Sequence, residues 1–351
     1  MNAESIEDRV RRTLDRVTVG PNGPSIMAAG LVHDVVATGG AVRVLLDLDC
    51  IPDGEADPLV DMLTPLVRGL PGVERAVIKP RPRRLGTSRL PGIGCVLGVH
   101  SGKGGVGKST IAANLAVALA RRGARAGLLD ADVYGPSAPT LLGIAGRATE
   151  SADGRRIEPR EAHGVKVMSL GFLMAAEKAL IWRGSLVDEG LGQLFRDVAW
   201  GDLDVLVVDL PPGTSDVHLA TARDSALDAV LTVTAPGAVS VQDVRRGMEM
   251  FADLAVPCLG IVENMAGVVC RSCGHVAQVF GSGGGPKLAQ ETGLPLLASI
   301  PFEPEVAAAC DGGTPVVVAA QGSLVGQALE GLATELGAGL ARLRIRVEGH
   351  L

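Results

Sequence analysis

Beyond about residue 93, short aliphatic runs alternate with longer segments in which apolar residues recur at helical spacing. This alternation predicts βαβ units. The runs are apolar at consecutive positions, which is typical of parallel strands covered on both faces. We therefore expect an α/β domain with a doubly wound, mostly parallel sheet that binds ligands at the carboxyl ends of its strands. The predicted strands are 95–100, 124–130, 165–170, 204–209, 229–234, 258–263 and 295–300.

The first 79 residues have a different pattern, which predicts a smaller α/β unit. Two strands, 32–37 and 41–48, flank the glycine pair at 39 and 40, a hairpin signal. The other predicted elements are helices 3–16 and 57–69 and a strand at 73–78. The stretch that follows is rich in proline and arginine and lacks apolar periodicity, as linkers do. The expected organisation is a small α/β domain at 1–79, a linker at 80–92 and the large domain at 93–351.

The composition changes this picture in two ways. Hydrophobic residues make up 47% of the 351 residues but aromatic residues only 2%, which predicts an aliphatic core. The net charge of −6 argues against a nucleic-acid partner. No basic and apolar leader precedes the first helix, and no apolar run reaches the roughly 18 residues of a membrane span. We therefore expect a cytoplasmic protein that binds neither nucleic acid nor a membrane.

In the large domain, a glycine-rich loop follows the predicted strand 95–100 and leads into the first predicted helix, 109–122. It fits the phosphate-loop pattern G-x-x-x-x-G-K-[ST]. Glycines allow backbone N–H groups to surround an oligophosphate, and the helix adds the positive end of its dipole. In this pattern Lys108 reaches the β and γ phosphates and Ser109 ligates Mg²⁺. The predicted ATP-binding residues of the loop are Gly102, Lys103, Gly104, Gly105, Val106, Gly107, Lys108, Ser109 and Thr110.

A second lysine, Lys103, lies inside this loop. The arrangement resembles the "deviant" phosphate loop of septum-site and plasmid-partition ATPases, the nitrogenase iron protein and the Mrp/ApbC proteins. In that family two subunits sandwich two ATP molecules, so the resemblance implies that Lys103 acts on the ATP of a partner subunit. A solvated loop lysine is the alternative.

Carboxylates follow two of the predicted strands. Asp130 ends strand 124–130 and Asp132 follows it, and Asp209 ends strand 204–209. Beside a phosphate loop, such carboxylates can hold Mg²⁺ or orient the attacking water. Asp209 has the position of a Walker-B residue. Any one of them alone could equally be an ordinary residue that ends a strand.

Cys270 and Cys273 form the only C-x-x-C pair of the sequence. A redox pair of the thioredoxin type needs a helix start after an early strand, and this pair falls late, in a predicted loop. A structural metal site needs four ligands, and the other four cysteines are scattered singly. Two chains that each contribute the pair would make a Cys₄ site for a [4Fe–4S] cluster or for Zn²⁺. The residues leave that choice open, and His275 is a further possible ligand.

Several motifs follow one another in an order that resembles the Mrp/ApbC iron–sulfur cluster carrier ATPases over roughly residues 93–318. They are the lysine-bearing phosphate loop, Asp130-Ala131-Asp132-Val133-Tyr134-Gly135-Pro136-Ser137, Trp182-Arg183-Gly184, Asp209-Leu210-Pro211-Pro212-Gly213-Thr214, and Glu263-Asn264-Met265 followed by Cys-x-x-Cys-Gly. The N-terminal unit is similar to the MIP18-like domain of bacterial members. Its Cys50 stands one place out of that domain's register, which puts any role for this cysteine in doubt.

The resemblance implies a homodimeric ATPase that passes a [4Fe–4S] cluster to apo-proteins and works with cluster-assembly proteins. Lys103, Asp132 and Asp209 would be catalytic. Asp209 would also hold Mg²⁺ together with Ser109. Asn264 would contact the adenine, and Cys270 and Cys273 would hold the cluster between subunits. Switch segments at 132–139 and 209–216 would link the nucleotide state to the cluster.

Two other classes of function fit part of this pattern. A partition or positioning ATPase would carry a basic amphipathic helix or a basic surface, and the tail at 340–347 is only mildly basic and short. A regulatory protein would hold Zn²⁺ at its cysteines and bind ATP as an allosteric ligand. The visible colour of an iron–sulfur cluster separates that protein from a cluster carrier.

Overall fold

The computed structural model divides the chain into two compact units, Met1–Arg84 and Leu85–Leu351. The described residues are 5–18, 25–29, 31–38, 40–47, 56–81, 90–132, 135–151, 154–173, 185–213, 227–254, 256–270 and 272–348.

The first unit packs two helices on a three-stranded sheet. Its elements are α1 (Ile6–Leu14), β1 (Val32–Thr38), β2 (Ala41–Asp47), α2 (Ala56–Arg68) and β3 (Arg75–Arg81). Strands β1 and β2 form the expected antiparallel hairpin, and β3 pairs with β2 in parallel. Its aliphatic core includes Val10, Leu14, Val44, Leu46 and Leu63. Cys50 lies outside the described residues.

The second unit contains a mostly parallel sheet, as the sequence predicts, with nine strands where seven were expected; the two additional strands are short and antiparallel. Its strands are β4 (Val96–Ser101), β5 (Ala126–Asp130), β8 (Arg160–Ala162), β9 (Val165–Ser169), β10 (Val205–Asp209), β11 (Ala229–Thr234), β12 (Cys258–Val269), β13 (Val276–Ala277) and β14 (Leu296–Phe302). Their order is β13-β12-β11-β4-β10-β5-β9-β8, with β14 also paired to β12. A separate two-stranded ribbon is formed by β6 (Thr149–Glu150) and β7 (Ile157–Glu158).

Helices cover the sheet, and the central strands are buried along their whole length. The helices are α3 (Lys108–Arg121), α4 (Ala138–Leu141), α5 (Ser185–Arg196), α6 (Ala238–Asp253), α7 (Gly284–Thr292), α8 (Pro304–Asp311), α9 (Val316–Ala319) and α10 (Leu324–Glu348). The core is mainly aliphatic, as the composition predicts. None of the helices in the described ranges is long and apolar enough to cross a membrane.

The structure differs from the sequence prediction mainly at element ends. Strand β12 runs to Val269, six residues past the predicted end at 263, because its last residues pair with β13 across a hairpin. At the predicted linker, Pro80 and Arg81 belong to β3, and Leu90 packs in the core of the second unit. Residues 82–89 lie outside the described ranges.

Candidate functional site

The predicted phosphate loop lies between β4 and α3, at the carboxyl edge of the sheet. Helix α3 begins at Lys108, after Gly107, whose φ of 84° suits glycine and strains other residues. The first amide N–H groups of a helix have no partner within it, and its dipole is positive at this end. The loop therefore has the geometry that receives an oligophosphate.

The loop is pressed against helix α6. A Cβ atom on Gly102 would lie 2.2 Å from the backbone nitrogen of Val244 and 2.3 Å from the carbonyl carbon of Asp243. No side chain fits in that space, so the first glycine of the motif is required by packing as well as by the ligand. Any movement of the loop must also shift α6.

Lys108 and Asp209 form a buried ion pair beside the loop, with side chains 6% and 3% exposed. Asp209 ends β10, the strand next to β4. The Ser109 hydroxyl lies 3.4 Å from the Lys108 ammonium and also bonds to Asp209. Burial raises the pKa of the Asp209 carboxyl, and the Lys108 ammonium opposes that shift. The structure thus brings together the residues predicted to hold phosphate and Mg²⁺.

Asp130, on the neighbouring strand β5, is fully buried and fixes the start of helix α4. Its carboxylate accepts the backbone N–H groups of Ser137, at 2.9 Å, and Ala138, at 3.0 Å. It also accepts the Ser169 hydroxyl at 3.2 Å. Burial, and then the charge of Asp209, raise its pKa to about 7. Asp130 therefore holds the far end of the predicted first switch segment, a role that the sequence analysis did not assign to it.

The raised pKa of Asp130 predicts a pH-dependent stability. Between about pH 4 and pH 7 the folded protein keeps a proton that the unfolded chain releases, so stability falls as the pH rises, by up to about 1.4 kcal/mol per unit. Above pH 7 this contribution levels off. In Asp130→Asn the slope should be smaller by that amount, as measured by urea unfolding from pH 5 to pH 8. The exposed Asp202→Asn should keep the parental slope, and an unchanged slope in Asp130→Asn would contradict the assignment.

Asp132 and Lys103 are the two other predicted catalytic residues of this region. The Asp132 carboxylate accepts the backbone N–H of Gly135 at 3.2 Å, and its charge acts on Asp209. Lys103 is half-buried, and its carbonyl accepts the Ser101 hydroxyl at 3.0 Å. No described residue forms a hydrogen bond or ion pair with the Lys103 ammonium. The predicted catalytic roles of Lys103 and Asp132 stay predictions.

Asn264, in strand β12, contacts the phosphate loop directly. Its side-chain amide donates to the Val106 carbonyl at 2.8 Å, and a Cβ atom on Gly107 would lie 2.2 Å from the same nitrogen. Its neighbour Glu263 is buried and accepts the backbone N–H of Gly285 at 2.8 Å. Strand β12 therefore contacts the phosphate loop through Asn264 and the start of helix α7 through Glu263.

The cysteine pair lies in the hairpin turn between β12 and β13. The backbone N–H of Cys270 donates to the His275 carbonyl, and that of Gly274 donates to the Cys270 carbonyl, both at 2.8 Å. Cys270 and Cys273 are exposed. Backbone N–H groups of Ser272 and then Cys273 lower the pKa of the Cys270 thiol by hydrogen bonding. A lower pKa favours the thiolate, the form that binds metals.

The cysteine turn brings together two candidate metal ligands, Cys270 and Cys273. Among the described residues, no group of three or more His, Cys, Asp or Glu side chains is placed to hold a metal ion. The cysteine pair and the nucleotide residues are joined along β12, since Asn264 and Cys270 are six positions apart. The motif residues Trp182-Arg183-Gly184, Val133, Tyr134 and 214–216 lie outside the described ranges.

Comparison with known proteins agrees with this arrangement. A family model described as NUBPL iron-transfer P-loop NTPase matches residues 92–337. A protein of Pseudomonas fragi named iron-sulfur cluster carrier protein is 44% identical over 286 residues, 80% of this chain and 100% of that protein. A protein of the same name from Synechocystis is 39% identical over 89% of this chain and 91% of its own length.

Solved structures show the same architecture. A nucleotide-binding protein from Archaeoglobus fulgidus, solved in complex with ADP, has a TM-score of 0.56 and 37% sequence identity, and the match covers 64% of this chain and 88% of that one. The cell-division ATPase MinD of Pyrococcus furiosus has a TM-score of 0.52 at 23% identity, covering 70% of this chain and 99% of its own, and shares the fold.

Proposed function

This chain belongs to the family of NUBPL-type iron-transfer P-loop NTPases and iron–sulfur cluster carrier proteins, and from that membership we propose a specific activity. It binds and hydrolyses ATP, holds a [4Fe–4S] cluster between two subunits and transfers it to apo-proteins. The cluster is the cargo, and ATP is the substrate.

The observation that carries this proposal is the exposed pair of Cys270 and Cys273 at the tip of a hairpin. Two thiolates satisfy half of a Cys₄ cluster site. A buried pair could not meet a second chain, whereas this pair can face its own copy across a twofold axis. A site completed between subunits also leaves the cluster near the surface, where a recipient protein can reach it.

The nucleotide half of the site supplies the residues for ATP hydrolysis. Ser109 and Asp209 offer the hydroxyl and carboxylate oxygens that Mg²⁺ prefers, and they already contact each other. When bound there, Mg²⁺ would neutralise charge on the phosphate oxygens. Lys108 would exchange its contact with Asp209 for the phosphates, Asp132 would orient the attacking water, and Asn264 would contact the adenine. Lys103 would act on the ATP of the partner subunit.

In this proposal hydrolysis gates loading or release of the cluster. Asp130 binds the far end of the first switch segment, and Asp209 begins the second, so each segment is attached to one of two buried carboxylates on adjacent strands. A change at the phosphates would then change the geometry of the dimer and the exposure of the cluster. The partners are the second subunit, apo iron–sulfur proteins and cluster-assembly proteins.

The organisation proposed around this site has three parts, a MIP18-like domain at 1–79, a linker at 80–92 and the ATPase and carrier domain at 93–351. A cytoplasmic location fits delivery to apo-proteins made there. Full-length and 93–351 chains compared for cluster transfer would test whether the first domain contributes.

The test is anaerobic reconstitution of the full chain with iron and sulfide, beside a Cys270→Ala/Cys273→Ala variant. We expect about four irons per dimer and visible absorbance in the parent, and neither in the variant. A Cys95→Ala/Cys310→Ala variant, which removes two buried thiols, is the matched control and should load like the parent. A colourless parent that binds Zn²⁺ would refute the cluster and favour the regulatory alternative.

A further inference from the structure

Glu263 is a buried carboxylate that stands beside the nucleotide asparagine and is 4% exposed. One oxygen accepts the backbone N–H of Gly285 at 2.8 Å, and the other accepts the Ser299 hydroxyl at 3.0 Å. No lysine or arginine in the described ranges forms an ion pair with it. The N-terminus of α7, to which Gly285 belongs, supplies the positive potential that a buried carboxylate needs.

The bond from Gly285 to Glu263 closes the base of a loop that carries the cysteine pair. The two residues are 22 positions apart, and both cysteines lie between them. Within that loop, β12 and β13 pair only at Val268 and Val269 with their two partners. Glu263 therefore fixes the point at which the chain returns from the cysteine turn to the body of the domain.

The start of α7 is held in this place by close packing as well as by the hydrogen bond. A Cβ atom on Gly285 would lie 2.7 Å from the Cβ of Glu263, and one on Gly284 would lie 2.3 Å from the Pro236 carbonyl oxygen. Two consecutive glycines allow the helix to approach β12 and the 236 loop more closely than any other residues would. The helix start cannot move without moving Glu263.

We call the contact between Glu263 and Gly285 the clamp. The next residue, Asn264, connects this clamp to the phosphate loop. Asn264 donates to the Val106 carbonyl, and the next residue, Met265, has a φ of 59°, which is rare outside glycine. The pairing of β12 with β14 is also interrupted between Asn264 and Val268. Strand β12 thus changes direction between Asn264 and the cysteines. Glu263 attaches the strand to α7 just before this change of direction.

We propose that Glu263 is a positioning residue that transmits the state of the phosphate loop to the cysteine pair, by holding Asn264 and the start of α7 as one body. The inference rests on the proposed function, since it concerns how ATP affects a cluster bound at Cys270 and Cys273. A shift of Asn264 caused by the nucleotide would carry α7 with it and move the base of the cysteine loop. Without the carboxylate, the strand and the helix would move independently.

The experiment measures cluster release to an Fe²⁺ chelator, with and without Mg-ATP, from reconstituted full-length protein. In the parent we expect ATP to change the release rate by about 5-fold or more, the usual lower range of coupling between two sites. Glu263→Ala should keep ATP binding and iron content within about 2-fold, while the ratio of the two release rates falls to about one. Glu263→Gln can accept from Gly285 and bond to Ser299, so it should retain the parental ratio.

Two further variants separate coupling from folding. Gly285→Ala keeps the carboxylate but forces α7 away from β12, so the ratio of the two release rates should again fall to about one. This variant tests the clamp even if Glu263→Ala does not fold. Asp228→Asn is the matched control, because Asp228 is buried and accepts the backbone N–H of Val96 at 2.7 Å at the opposite end of the sheet. It should keep the parental ratio.

The outcomes distinguish the clamp from the function on which it rests. A parental ratio of one would overturn both ATP control of the cluster and the clamp. A parent with a clear ratio that persists in Glu263→Ala or Gly285→Ala would overturn the clamp alone. An equal loss in Asp228→Asn would reduce the effect to general destabilisation and would also overturn it.

Discussion

A Lys108→Ala variant is expected to lose ATP hydrolysis by about three orders of magnitude, because the phosphates would lack the cation at the helix start. The same change should destabilise the second unit. Lys108 is paired with Asp209, and both side chains are buried. Removal of one member of a buried pair leaves the other charge uncompensated, which costs about 3–5 kcal/mol. Activity and urea unfolding measure the two effects separately.

A second substitution separates the catalytic loss from the structural one. In Lys108→Ala/Asp209→Asn the buried charge is gone, so most of the lost stability should return while hydrolysis stays at the level of the single variant. Lys287→Ala removes an exposed lysine near the start of α7 and should match the parent in both measurements. If the double variant were as unstable as Lys108→Ala, the ion pair would not be the source of the lost stability.

The fold was predictable because its signals are local. Strands such as β4 and β11 are continuous aliphatic runs, and burial on both faces is the reason that they contain no alternating polar positions. The phosphate loop was predictable for the same reason, since its glycines and its lysine occupy fixed spacings within nine residues. The cysteine pair was visible by its spacing, and its completion by a second chain stays a prediction from a count of ligands.

The contacts that position the site could not be predicted, because they join residues far apart in the sequence. Asp130 was visible as one of two carboxylates after a strand, but its bonds to Ser137 and Ser169 depend on where those segments fold. Glu263 was visible only as part of a motif, and Gly285 stood in an ordinary glycine run. Whether a carboxylate is buried, and which N–H group it accepts, is decided by tertiary packing rather than by local pattern.

The extended strand β12 shows a second limit. Its predicted end at 263 followed the end of the aliphatic run, because Glu263 and Asn264 are polar. In the folded chain these two residues find partners on the phosphate loop and on α7, and the strand continues to Val269. These polar residues interrupt the apolar strand pattern because they bond to residues that are distant in the sequence. The same bonds build the site.

Lys103→Ala is expected to lower ATP hydrolysis by about 10³–10⁵-fold while ATP binding stays close to that of the parent, since a cation supplied by a facing subunit acts on the transition state. The structure supports this division of roles. Lys108 is paired with Asp209 beside the phosphate loop, whereas the Lys103 ammonium forms no hydrogen bond or ion pair with a described residue. A merely solvated lysine would change hydrolysis little, which is the result that would contradict the assignment.

Mixed dimers test whether the lysine acts across the interface. Lys103→Ala and Asp132→Ala subunits should each be inactive alone, but a mixed dimer would have one ATP site with its own Asp132 and the Lys103 of the other subunit. Random pairing makes half of the dimers mixed, each with one complete site of two, so equal amounts should recover about a quarter of the parental rate. Since Asp132 lies beside Asp209 of its own chain, recovery would place Lys103 in the partner's site, and no recovery would place it in its own.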